Sequence, residues 1–165
     1  MFKLTVKRIG PKPETYRELS RSLSSLLEGE TDALANLSNA AGLLAQALDR
    51  VNWSGFYLLR GEELVLGPFQ GKPACVRIPL GKGVCGTAAQ ARETLIVPDV
   101  HAFPGHIACD EDSRSEIVVP ILQNGALKGV LDVDSPETNR FDHEDRAGLE
   151  AFVEVLTPRV DWTRL

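Results

Sequence analysis

The chain has 165 residues, 43% of them hydrophobic and 25% charged, with a formal net charge of -5. That length suits one domain able to bury about two-thirds of its unfolded surface without a metal or disulfide staple, and the ordinary composition excludes a long disordered segment. The acidic balance disfavours phosphate backbones and anionic lipid headgroups, so no nucleic acid and no membrane is expected as a partner, and a small ligand is.

The first ten residues alternate Phe2, Leu4 and Val6 with Lys3, Lys7 and Arg8 and lack the apolar core of a secretory signal. No later run is apolar for long enough to span a bilayer. A cytoplasmic location is expected, where thiols stay reduced and cysteine pairs tend to be catalytic or redox-sensing. Residues 13–48 read as two helices, one striped by Leu19, Leu23, Leu26 and Leu27, the next by Leu34, Leu37, Ala41, Leu44 and Leu48. Gly29 divides them, and Thr31 is the expected N-cap of the second.

Residues 51–59 form an aromatic-rich strand that turns at 60–62 into a short strand over 64–66. After a Gly/Pro loop, 75–78 is a short strand, and Gly81-Lys82-Gly83 leads into a helix with Cys85 on its first turn. Residues 95–97 are another strand. The stretch 98–114 has no periodicity and contains Pro104 and Gly105; connections of that length serve as lids or binding loops. Strands over 115–122 and 126–133 meet at Asn124-Gly125, a strong hairpin signal, and 142–156 closes the chain as a helix. The order gives an α+β fold occupying 1–165 as a single domain. Its helical segment covers 13–48, its sheet and pocket 51–135, and its closing helix 142–156. The terminal helices pack on one face of a central antiparallel sheet, and the other face cups a ligand.

Cys75, Cys85 and Cys109 lie among glycines, prolines and charged residues rather than in apolar runs. An odd count opposes a fully paired disulfide framework, and the absence of a Cys-x-x-Cys pair opposes a structural metal site. Position alone leaves ordinary burial equally open for them, since free cysteine is among the most buried residue types. Cys85 starts a helix, whose dipole lowers a thiol pKa. Cys109 sits in the long loop, but Asp110, Glu111 and Asp112 follow it and disfavour a thiolate, with no adjacent basic residue to offset them. His106 is close by, although a solvent-facing loop histidine is its plainer reading.

Asp132 and Asp134 are two apart in a strand and share a face. With Glu116 they could gather on one ligand, and gathered carboxylates cannot all ionise cheaply, so at least one would keep a proton to donate. Alternation alone would instead put the two aspartates on a solvated face. Trp53 reads as a flat apolar wall or as core, and Tyr57 lies on the same side of its strand. The glycine turn at 81–86 either offers backbone N–H groups to an anion or merely makes a bend.

Six strings taken together carry a resemblance: Asn52-Trp53-Ser54-Gly55-Phe56-Tyr57, Gly81-Lys82-Gly83-Val84-Cys85-Gly86, Val97-Pro98-Asp99-Val100, His106-Ile107-Ala108-Cys109-Asp110, Ser115-Glu116-Ile117 and 129–135. The chain resembles the GAF-domain free methionine-R-sulfoxide reductases from about residue 16 to 155, and the three cysteines with Trp53, Glu116, Asp132 and Asp134 are the specific part of the match. The resemblance implies a single GAF domain and a cytosolic, homodimeric enzyme reducing the R epimer of free methionine sulfoxide. Thioredoxin would regenerate its thiols, with no cofactor and no metal. It implies Cys109 as nucleophile, Cys75 as first choice for the resolving thiol with Cys85 as the alternative, and Trp53, Glu116, Asp132 and Asp134 as substrate-binding residues that assist protonation. Many GAF domains are sensory modules, so a non-catalytic ligand sensor or a thiol redox switch is the competing expectation.

Overall fold

The computed structural model describes residues 10–107 and 110–165. It opens with α1 (Lys12–Leu26) and α2 (Ala33–Ala47). The N-cap of α2 is Asp32, not Thr31: its carboxylate accepts the Ala35 N–H at 2.8 Å. Glu30 folds back to accept the N–H groups of both Thr31 and Asp32 at 2.7 Å, which leaves the shorter aspartate facing the helix.

Strands β1 (Trp53–Arg60) and β2 (Glu63–Gln70) form a hairpin. β2 runs past the expected 64–66 through Gly67 and Pro68, because the pairing shifts register between Gly55 and Tyr57. Proline, which has no N–H to give to a ladder, is tolerated at such a bulge. β3 (Arg77–Pro79) begins two residues after Cys75, and α3 (Gly83–Ala91) follows. Gly86 lets α3 descend onto β3; a Cβ there would lie 2.4 Å from the Pro79 carbonyl oxygen. β4 (Leu95–Val97), β5 (Ser115–Gln123) and β6 (Ala126–Ser135) complete the strands, and α4 (His143–Leu156) closes the fold. In the β5–β6 turn Asn124 and Gly125 have φ of 52° and 78°, the two positive values that a type I′ turn requires.

The six strands are ordered β3-β2-β1-β6-β5-β4, every neighbouring pair antiparallel. One face carries the main core, in which Leu19, Leu37, Leu44 and Phe152 from α1, α2 and α4 cover Phe56, Ile117, Leu131 and Val133. On the other face Val84, Ala88 and Ala89 of α3 cover Tyr57, Val118 and Val130. This is the expected α+β arrangement, with α3 covering part of the ligand face. Among the described residues no helix is long and apolar enough to cross a membrane.

A buried polar staple fixes α1 to α4. The Tyr16 hydroxyl donates to Asp145 Oδ1 at 2.8 Å, Lys12 Nζ donates to Asp145 Oδ2 at 2.6 Å, and Arg140 donates to Asp145 Oδ1 at 3.1 Å. Asp145 also completes a capping box with Asp142, the N-cap of α4.

Candidate functional site

The strand register sets the site. Trp53 of β1 lies opposite Asp134 of β6, which lies opposite Glu116 of β5. In the next row on the same face Gly55 pairs with Asp132, and Asp132 with Val118. Period-two alternation therefore turns all three acids toward α3 while Ile117, Leu131 and Val133 between them enter the main core. Glu116 and Asp132 are only 5% and 6% exposed, so the solvated face is not where they project.

α3 brings Cys85 over this row. Its Sγ is 3.7 Å from Glu116 Oε1, and one ligand atom each from Cys85, Glu116 and Asp132 fall within 4.8 Å of one another. The pocket is walled by Trp53, Tyr57, Ile78, Gly83, Val84, Cys85, His106, Asp110, Ser113 and the three acids. Trp53 stacks on Phe69 at 5.3 Å and on Tyr57 at 5.9 Å between ring centroids, and its indole N–H donates to the Lys72 carbonyl at 3.1 Å. Gly55 permits that stack, because a Cβ there would lie 2.8 Å from the Trp53 ring and 2.3 Å from Phe69 Cβ.

Burial pushes the carboxyls of Glu116 and Asp134 well above the usual range, and the charge of Asp132 raises both further. Burial also holds Asp132 up to about 7, although hydrogen bonding with Cys85 and Glu116 pulls it down. The Cys85 thiol is raised by burial and then by Asp132 and Glu116. This corrects the expectation from the helix start: a partial charge at a short helix end is outweighed by desolvation beside the carboxyls of Asp132 and Glu116. At neutral pH the cluster holds protons, and Cys85 is a thiol, not a thiolate.

Cys75 sits at the pocket margin, its carbonyl accepting from the Tyr57 hydroxyl at 3.0 Å; it is disulfide-bonded, whereas Cys85 is free. Cys109 lies outside the described residues. His106, expected to face solvent, is half-buried and lines the pocket, where burial and then His101 lower its pKa.

The matched family model is the GAF domain, over residues 14–157. The free methionine-R-sulfoxide reductase of Escherichia coli is 52% identical over 145 residues, 88% of each chain. Protein YtsP of Bacillus subtilis is 53% identical, over 91% of this chain and 93% of its own. The structure of a free methionine-R-sulfoxide reductase from Neisseria meningitidis in complex with its substrate superposes with a TM-score of 0.90 at 45% identity, covering 94% of both chains. The chain belongs to the GAF-domain family of free methionine-R-sulfoxide reductases.

Within this family frame, three side chains around the site, Lys72, Asn52 and Ser113, escape a reading of the sequence. Lys72 pairs with Asp110 at 3.5 Å and with Asp112, supplying the counter-charge missing from the acidic run after Cys109. Asn52 donates to Asp110 at 3.0 Å and to Ser113 at 3.1 Å, and Ser113 in turn hydrogen-bonds Asp134 and lowers its pKa. Burial acts to raise Asp110, but the Asp112 N–H, Lys72 and Asn52 outweigh it and hold the carboxyl below its ordinary value. Tyr57, readable as wall or core, is both.

Proposed function

We propose that this protein reduces free L-methionine (R)-S-oxide to L-methionine. The observation that carries the reading is the gathering of Glu116, Asp132 and Asp134 beside Trp53 in one buried, proton-holding pocket. A relative of the same fold is described in complex with its substrate. The zwitterionic amino acid suits that pocket: its ammonium would meet the acids, its carboxylate the uncapped N–H groups at the start of α3, and its methyl the Trp53 ring.

A sulfoxide oxygen is a poor leaving group until protonated. In the proposed reaction the Cys109 thiolate attacks the sulfoxide sulfur while the acid cluster delivers a proton to the oxygen. The oxygen passes to the Cys109 sulfur as its bond to the methionine sulfur breaks, methionine departs, and Cys109 is left as a sulfenic acid. The Cys75 thiol condenses with it, water leaves, and a Cys75–Cys109 disulfide results. A thioredoxin dithiol then returns both cysteines to thiols by exchange and is itself oxidised. The disulfide-bonded state of Cys75 supports its resolving role, and the proton-holding Cys85 fits neither attack nor resolution. Lys72 offsets the acids that would otherwise oppose a Cys109 thiolate. The working form is proposed to be a cytoplasmic homodimer without cofactor.

The test is to supply each epimer of free methionine sulfoxide with a reductant and measure methionine formed. Turnover of the R epimer is expected, lost in Cys109→Ser, and sustained in Cys75→Ser by a monothiol but not by thioredoxin. An active Cys109→Ser beside an inactive Cys85→Ser would overturn the assignment, and a protein inert toward both epimers would remove the function.

A further inference from the structure

We infer that Cys85, Glu116 and Asp132 form a binding site for a thiophilic divalent cation, of the zinc and cadmium class, at the floor of the pocket. Two independent observations carry this. The first is donor geometry: a sulfur and two carboxyl groups converge with their ligand atoms within 4.8 Å of one another. A tetrahedral zinc ion with Zn–S of about 2.3 Å and Zn–O of about 2.0 Å places sulfur and oxygen about 3.5 Å apart. The Cys85 Sγ to Glu116 Oε1 separation is 3.7 Å. The second is an unanswered acceptor. Asp132 is 6% exposed, and although its carboxyl interacts with Cys85 and Glu116, its Oδ1 has no hydrogen-bond partner. A buried carboxylate oxygen left without a donor costs free energy that a cation recovers.

The composition of the pocket selects the class of ion. No lysine or arginine is among the described residues lining it, while Asp134 and Asp110 add two further carboxyl groups. A mixed sulfur and oxygen donor set suits zinc or cadmium and excludes magnesium, which demands near-octahedral oxygen coordination. Three protein ligands leave a fourth position open toward the pocket. On binding, the Cys85 S–H bond is replaced by an S–metal bond and its proton passes to solvent, as do protons held on the two carboxyls; no electron is transferred. The ion would occupy the place of the small organic ligand and strip the cluster of the protons proposed to reach the sulfoxide oxygen, so it acts as an inhibitor.

The inference rests on the donor set and not on the proposed reaction, so its test reads the metal directly. In Cys75→Ser/Cys109→Ser, Cys85 is the single thiol of the chain. Titration of this variant with CdCl2 is expected to give a thiolate-to-cadmium charge-transfer band in the ultraviolet that saturates at one equivalent, disappears on adding EDTA, and is unaffected by a large excess of MgCl2. Further replacement of Cys85 by Ser should abolish the band. Asp132→Asn or Glu116→Gln in the same background should keep it but weaken binding by more than about tenfold, since even second-shell changes cost that much. Should the double variant fail to fold, the oxidised native protein, with Cys75 in its disulfide, takes its place. Absence of a band at one equivalent, or a band whose affinity is indifferent to Asp132→Asn and Glu116→Gln, would overturn the inference whether or not the protein reduces methionine sulfoxide.

Discussion

Asp132 shows what one buried acid costs and what it supplies. Its folded-state pKa, held up to about 7 by burial, lies above the unfolded value, so the native chain binds this proton more tightly. Its contribution to stability is therefore fully present below the ordinary carboxylate range and is lost as pH rises through about 7. Asp132→Asn removes that loss while keeping the shape. The variant is expected to gain on the order of 2 to 4 kcal/mol in urea unfolding at mildly alkaline pH, with little gain in acid, where the native carboxyl is already neutral. It is expected to lose turnover, the usual exchange of activity for stability at a strained site. In the native protein, if the proton on this cluster is the one delivered to oxygen, methionine formation should fall as pH rises through about 7, and a rate that climbs instead would remove the acid role. The sharing of a face by Asp132 and Asp134 was legible from their spacing of two. Lys72 was not, because its partners Asp110 and Asp112 lie 38 and 40 positions away in the chain and nothing local marks a long-range ion pair.

At the scale of elements, the docking of α1 against α4 hangs on Asp145, which accepts from Tyr16, Lys12 and Arg140 at once. Arg140 is itself 4% exposed and keeps Asp49 as a second partner at 3.1 Å, so Asp145→Ala would unpair one side of a buried guanidinium together with the Tyr16 hydroxyl and should destabilise by about 2 to 4 kcal/mol in denaturant unfolding. Asp142 is more exposed, and its replacement by Ala removes only an N-cap and one end of an ion pair, so the expected loss is about 1 kcal/mol. The Asp142 carboxyl is pushed up by burial but overridden by Lys12 and the α4 N–H groups, down to about 2. Its contribution is present above the ordinary carboxylate range and is lost as acid approaches pH 2, the opposite sense to Asp132. Local chemistry made the elements readable where it was unambiguous, as at Asn124-Gly125, whose two positive φ values follow from residue type. It misled where tertiary pairing decides. Gly67 and Pro68 carry the signature of a loop, yet β1 pairs on both sides of them and absorbs the misfit as a bulge.

For the whole molecule, the sheet is one partition between two cores, and each tryptophan reports on a different side. Trp53 is packed in the pocket-side core, while Trp162 lies against the helical core and donates to the Thr157 carbonyl at 2.9 Å. Because the same strands supply both cores, neither should melt alone. Trp53→Phe and Trp162→Phe, each leaving one fluorescent reporter, are expected to show unfolding midpoints within a single variant that coincide with those from far-ultraviolet circular dichroism. A reporter that changes well before the backbone signal would show that the two sides are separate cooperative units. The pairing of Trp53 with Asp134 and of Asp134 with Glu116 carries a last consequence. A slip of β6 by one position would drive two aspartates into hydrocarbon and turn Leu131 and Val133 outward. Misassembled molecules are thereby denied a stable hiding place, and catalytic competence is proofread by the same step that closes the sheet. After partial refolding from denaturant, the specific activity of whatever fraction regains native structure should equal that of protein never unfolded.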